Sequence, residues 1–338
     1  MSAARPAYDT YAGTEDGVLL LSGDARSLGL RGSRISAVHA LRAPDGDVIV
    51  VAGTYGDGLR RSADGGASWQ PVQGVSAPAA RWIGPDPMTP GALLCGTEPA
   101  RLFRSLDLGL TWTDLPGIEA LPEHETWFLP YSPRAGALRN VHALPGRPGH
   151  LVAAVEVGGM LRTTDGGRSW SIEEIAGNDD IHQVTGDPED GDRLWASLGY
   201  AALPVRRRHP GDRHLGGVAR SRDGGRTWVV LHTDYTRSTV LVPGSPGLVL
   251  SGPAPKVGEG GRIVVSTDDG ESWRPAGGGL ETPMPDMVEL FVPAPDGTIF
   301  AICSGGRLLR ADPADWRWTP VGRDGAGGKA VSVSFLPR

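Results

Sequence analysis

The sequence predicts an all-β chain of repeats closed into a ring, and three observations carry that prediction. First, 50 Gly and 29 Pro sit beside a 39% hydrophobic share, and the apolar residues fall in short strand-length runs between turn residues. Many short strands joined by tight turns is the all-β pattern. Second, one motif recurs five times: Ser or Thr, any residue, Asp, any, Gly, any, Ser or Thr, Trp. Self-similarity at a fixed period signals a repeat architecture. Third, the two ends complement one another, as shown below.

The five copies are 62–69, 105–112, 163–170, 221–228 and 266–273, each closing on a Trp: Trp69, Trp112, Trp170, Trp228 and Trp273. The steps between them are roughly 45 residues, two of them longer by about 13, the length of a four-stranded unit. Within the motif an Asp at a hairpin tip can accept bonds from backbone N–H groups further along the turn. The Gly supplies positive φ without steric cost. The Trp packs its ring against the neighbouring repeat. Asp64, Asp107, Asp165, Asp223 and Asp268 are therefore read as turn residues.

Two degenerate copies complete the count. Trp318 follows a third-strand-like segment and broken turn at 304–312, and the stretch 13–24 mimics 53–64. Five clear copies and two degenerate ones predict a seven-bladed β-propeller, with six blades as the alternative. Each full blade opens with a strand such as Ile35-Ser36-Ala37-Val38-His39. The N-terminal blade has no such strand ahead of Gly13, and the C-terminus offers a spare one at 330–335. Pairing the spare strand into the first blade would close the ring and remove exposed strand edges. Residues 12–338 are read as one propeller domain and 1–11 as a tail.

The repeated motif resembles the Asp-box, or bacterial neuraminidase repeat, of sialidases, xyloglucanases, sortilin-type receptors and photosystem II assembly factors, all β-propellers. The resemblance covers nearly the whole chain. It implies that the motifs lie on the hairpins between the third and fourth strands, away from the active face. Sialidases of this group use three arginines, a Tyr nucleophile with a Glu partner, an acidic Asp and an Arg-Ile-Pro motif. Here Arg34-Ile35-Ser36 lacks the Pro. Fold follows from the resemblance more firmly than function does, because function resides in the site.

A formal net charge of −6 gives no electrostatic footprint for nucleic acid. Cys95 and Cys303 lie in separate apolar runs and imply no disulfide framework. No basic-then-apolar leader opens the chain, and no apolar run reaches the roughly 20 residues that span a bilayer. The expectation is a soluble, cytoplasmic protein with no nucleic-acid or membrane partner.

The two long steps place extra loop at 115–139 and 199–217, on the face opposite the turns. Insertions on one face mark a binding face. The first loop holds Glu123, His124, Glu125, Trp127, Phe128, Tyr131, Arg134 and Arg139. The second holds Tyr200, the run Arg206-Arg207-Arg208-His209, Arg213 and His214. Arg81, Trp127, Arg139, Tyr200 and Arg237 are the candidate substrate-binding residues, because guanidiniums clamp anions bidentately. Aligned first strands predict a ring of His39, Arg81, His142, His182 and Glu289 around the central channel. Three imidazoles with a carboxylate suit a divalent metal, so His39, His142, His182 and Glu289 are its candidate ligands. Glu156, Asp180 and Tyr235 are the candidate catalytic groups. The resulting expectation is a propeller enzyme acting on a small polar or anionic substrate at the loop face or channel, with a histidine-bound metal as the candidate cofactor. The alternatives are a scaffold that docks a protein partner at the loop face, and a sialidase-like glycoside hydrolase.

Overall fold

Strand-forming runs separated by Gly-rich turns fold into seven four-stranded antiparallel sheets in a computed structural model. It describes residues 7–23, 25–127, 136–173, 175–200, 216–322 and 328–338. The sheets are the blades of a β-propeller, so seven blades are observed and the six-bladed alternative falls. A single three-residue 3-10 turn, His124–Thr126, is the only helical element among the described residues. Among the described residues no helix is long and apolar enough to cross a membrane.

The ring closes through the chain ends. Strand Ala330–Pro337 is the inner strand of blade one and pairs antiparallel with Tyr8–Thr14, Val333 opposite Ala12. The first blade thus takes in residues from Tyr8, ahead of position 12. Arg338 clasps Asp9 at 2.6 Å beside this seam.

Within each blade the strands differ for a physical reason. Second strands such as Val48–Thr54, Leu93–Glu98 and Leu151–Glu156 lie between neighbouring blades and are covered on both faces. They read as continuous apolar runs rather than alternating ones, as doubly covered strands do. Fourth strands are two to four residues long, as Gln70–Pro71 and Val229–His232 are. Short edges limit strand addition by other chains. The apolar clusters lie between adjacent blades; one joins Leu94 and Leu102 of blade three to Leu138 and Val155 of blade four.

The five repeated turns share one bonding pattern. In the first, the Ser62 hydroxyl donates to Asp64 at 2.7 Å and accepts from the Gly66 N–H. Asp64 also accepts from the Ser68 N–H at 2.9 Å and its hydroxyl at 2.6 Å. Bonds from Ser68 and Ser62 hold the Asp64 carboxyl down at about 2. Gly66 has φ +98°, and a side chain there would also strike Leu28 of blade one. The indoles of Trp112, Trp170 and Trp228 donate to their own turns, whereas Trp69 and Trp318 donate to Leu28 and Ala276 of the preceding blade.

Candidate functional site

Inner strands of neighbouring blades splay apart and cannot share a backbone ladder, so polar side chains bridge them. Asn140 bonds both backbone groups of Val184. Gln183 accepts from the Ser238 hydroxyl and the Thr239 N–H.

Every inner strand carries a bulge near its loop-face end. The pairing skips Ser36, Arg81, Arg139, His182, the Arg237-Ser238 pair, Glu289 and Val331. A bulge re-aims the extra residue. The chain has filled this re-aimed tier with three arginines, a histidine and a glutamate, at the mouth of the central channel.

This register corrects the expected histidine ring. His39 lies opposite Val51 and His142 opposite Val152, level with each other and with Thr185. Both sit three residues below the bulge tier, about 10 Å of extended strand. The expected ring is thus two tiers: Arg81, His182 and Glu289 above, His39 and His142 below. The repeated Val-His-Ala-Leu strings match each other but lie three residues out of step with the strings around Arg81, His182 and Glu289.

The mouth opens into a cavity of about 610 Å³. Among the described residues five cationic side chains line it, Arg34, Arg81, Arg139, Arg237 and Lys329, against two anionic ones, Glu15 and Glu289. Three carboxylates stand behind the guanidiniums and do not line the cavity. Glu98 lies 3.4 Å from Arg81, and Glu156 lies 3.6 Å from Arg81 and 3.3 Å from Arg139. Asp180 lies 3.4 Å from the His182 Nε2. Burial opposes ionisation of Glu156, but Arg139, Arg81 and Arg237 outweigh it and hold its carboxyl well below the usual range. Burial also works against the charge on Arg237, which Glu289 at 2.5 Å, Tyr235 and Glu156 preserve. Tyr55 bonds Arg81 through its hydroxyl, and its ring stacks between Arg34 at 4.5 Å and Arg81 at 5.0 Å.

Of the two proton-exchanging groups of the mouth tier that line the cavity, Glu289 is paired with Arg237 and His182 is the other. Its Nε2 is 3.0 Å from the Tyr235 hydroxyl, which accepts from the Arg237 Nε at 2.8 Å. Asp180 beside Nε2 favours the tautomer protonated there. The buried Nδ1 has no hydrogen-bond partner. Gly199 makes the arrangement possible: a Cβ there would overlap the Asp180 carboxylate and lie 2.6 Å from His182 Nε2.

The sequence-derived candidates divide accordingly. Arg81, Arg139 and Arg237 reach the cavity together. Glu156, Asp180 and Tyr235 belong to the same cluster but lie behind its wall. Burial pushes the Tyr235 phenol up. Trp127 is a core residue, 2% exposed among Leu138, Val155 and Val157, because its loop folds back onto blade four. Tyr200 does not line the cavity; its ring lies 5.0 Å from that of Tyr235 and its hydroxyl donates to Pro255. Of the metal candidates, only His182 joins a compact donor group, with Glu156 and Asp180, whose donor atoms lie within 4.8 Å of one another. His39 and His142 are excluded from it by their lower tier, and Glu289 turns instead to Arg237. The loop residues Phe128, Tyr131, Arg134, Arg206, Arg207, Arg208, His209, Arg213 and His214 lie outside the described residues. Sequence reasoning missed Arg34, Tyr55 and Glu98. Glu98 ends its second strand as Glu156 does, and that matched position was the available signal.

No protein-family model matches the sequence, and no curated protein shows significant similarity to it. Solved structures do share its fold. The GH74 xyloglucanase from Xanthomonas campestris superimposes with TM-score 0.64 at 16% identity, over 98% of this chain and 52% of that one. The chain thus spans about half the length of that enzyme. YCF48 from Cyanidioschyzon merolae gives TM-score 0.61 at 14% identity, over 93% and 94% of the two chains. A putative 6-phosphogluconolactonase from Bacteroides fragilis gives 0.57 at 11% identity, over 99% of each. Identities this low establish a shared β-propeller fold and no more.

Proposed function

We propose that the protein binds a small anionic organic molecule at the channel mouth and acts on it, with Arg81, Arg139 and Arg237 as the anion clamp. The observation that carries this reading is the cationic lining, five positive side chains against two negative, in a chain of net charge −6. Guanidinium N–H donors lining one cavity suit the oxygens of an anion, while Glu98, Glu156 and Glu289 balance the charge of Arg81, Arg139 and Arg237. Glu98 and Glu156 orient the guanidiniums from behind. His182 lines the same cavity and is the candidate proton-transfer group, with Asp180 and Tyr235 setting its orientation. The Asp-box resemblance and the enzymes among the fold neighbours are consistent with a catalytic propeller. Tyr235 is a poor nucleophile for a sialidase-type reaction, because it is buried behind the wall and burial holds it protonated.

The test is a thermal-shift and turnover screen with sugar acids, phosphate esters and lactones, run on wild type, Arg139→Gln and His182→Gln. Stabilisation lost in Arg139→Gln, with turnover alone lost in His182→Gln, supports the reading. Indifference of all three proteins to every anion overturns it and moves the weight to a protein partner at the loop face.

The Glu156, Asp180 and His182 group favours a second reading, a divalent cation held by one imidazole and two carboxylates. The donor types fit, but two guanidiniums already occupy Glu156. Elemental analysis of wild type and an Asp180→Asn, His182→Ala double variant decides: stoichiometric metal lost in the variant establishes the cation site.

A further inference from the structure

Below the mouth the channel changes character. At the next tier the polar side chains Asn140 and Gln183 are spent on bridging neighbouring strands. Beside Thr185, the half-buried residues that line the cavity from there down are chiefly apolar: Trp82, Leu241, Leu290 and Val292. The Trp82 indole packs against Gly84, where a Cβ would come 2.5–3.2 Å from its six-membered ring. Glycine there keeps the indole inside the channel rather than displaced from it. Deeper still is His142, whose buried Nε2 has no hydrogen-bond partner. Desolvation holds His142 and its level neighbour His39 at about 4, so both are neutral near pH 7. Neutral imidazoles do not attract charge to this part of the passage, and the His142 Nε2 is turned to Gly186 of the neighbouring blade.

We infer that the ligand is amphipathic: an anionic head clamped at the mouth and a flat apolar body, about 10 Å long, lying on Trp82 with its far end near His142. This rests on the anion-clamp reading and deepens it. Small sugars and inorganic anions would satisfy the mouth but leave the Trp82 wall wet. An aromatic carboxylate or aryl phosphate satisfies both, since a ring stacked on an indole gains from area and geometry together.

The test uses three probes in calorimetric titrations of the full chain: 2-naphthoate, acetate, and the neutral 2-naphthalenemethanol. Wild type is expected to bind 2-naphthoate at least tenfold more tightly than either of the others. Trp82→Ala, and independently Leu290→Gln should the first variant fail to fold, bring 2-naphthoate down to the acetate level without changing acetate. Arg139→Gln weakens both acids. Equal affinity for 2-naphthoate and acetate overturns the apolar body while leaving the clamp standing. Equal affinity for 2-naphthoate and the alcohol overturns the amphipathic ligand. Binding of neither acid removes the clamp itself, and this inference with it.

Discussion

Glu156 separates the orienting role argued here from a direct one. Its side chain is 6% exposed and faces the guanidiniums of Arg81 and Arg139. Glu156→Gln keeps the shape and removes the charge. Deleting one partner of a buried ion pair costs about 3–5 kcal/mol. Two features lower that figure here: Arg81 keeps Glu98 at 3.4 Å, and the Arg139 side chain is 21% exposed. The expected loss is therefore about 2–3 kcal/mol, read from urea denaturation at pH 7. A Glu156→Gln, Arg139→Gln double variant removes both charges and should lose less than the sum of the singles by at least about 1 kcal/mol. Because Glu156 stands behind the clamp, its neutralisation leaves the mouth one charge more positive, and anion affinity should hold or rise. Additive single variants, or abolished anion binding in Glu156→Gln, would refute the reasoning.

Three further outcomes follow from the same geometry. His39, His142 and His232 are each held by burial at about 4, against 6.5 in the unfolded chain. The unfolded state thus takes up protons first, so stability is full above pH 6.5 and falls as pH drops towards 4, by at most about 3 kcal/mol per imidazole; His142→Asn should flatten that slope in pH-dependent denaturation. Gly199→Ala should push Asp180 and His182 apart and cost about 1–3 kcal/mol by overpacking; if turnover survives unchanged, the His182 arrangement is not the working one. Asp165→Ala removes the acceptor for the Ser169 N–H and hydroxyl and the Arg168 N–H. It should cost about 1–2 kcal/mol by chemical denaturation with anion binding unaffected, because the turn lies on the opposite face.

The blades were legible because each repeated turn is a local bonding pattern spelled out in consecutive residues, from Ser62 to Trp69 and its four counterparts. Ring closure was legible too, since the first blade lacked a strand and 330–335 supplied one. The site was legible in composition but not in register. Arg81, Arg139, Arg237 and His182 could be singled out as charged residues near the loop face. Which of them share a tier depends on bulges at Ser36, Arg139 and their equivalents, and a bulge inserts a residue without marking it in the sequence. The bulge falls at the equivalent place in every inner strand, so the strings around His39 and His142 were matched by residue type to those of Arg81, His182 and Glu289, three positions out of step. Trp127 was misread for a related reason: an aromatic in a long loop looks available until the loop is seen folding back onto blade four.

The central claim is that the channel mouth is an anion site built by three guanidiniums. Anomalous diffraction from crystals soaked in selenate tests it most directly. The account predicts a selenium peak within hydrogen-bond reach of Arg81, Arg139 and Arg237, lost in Arg139→Gln crystals of the same form. Selenate bound only elsewhere on the surface, with the mouth empty of it at the same concentration, would contradict the account.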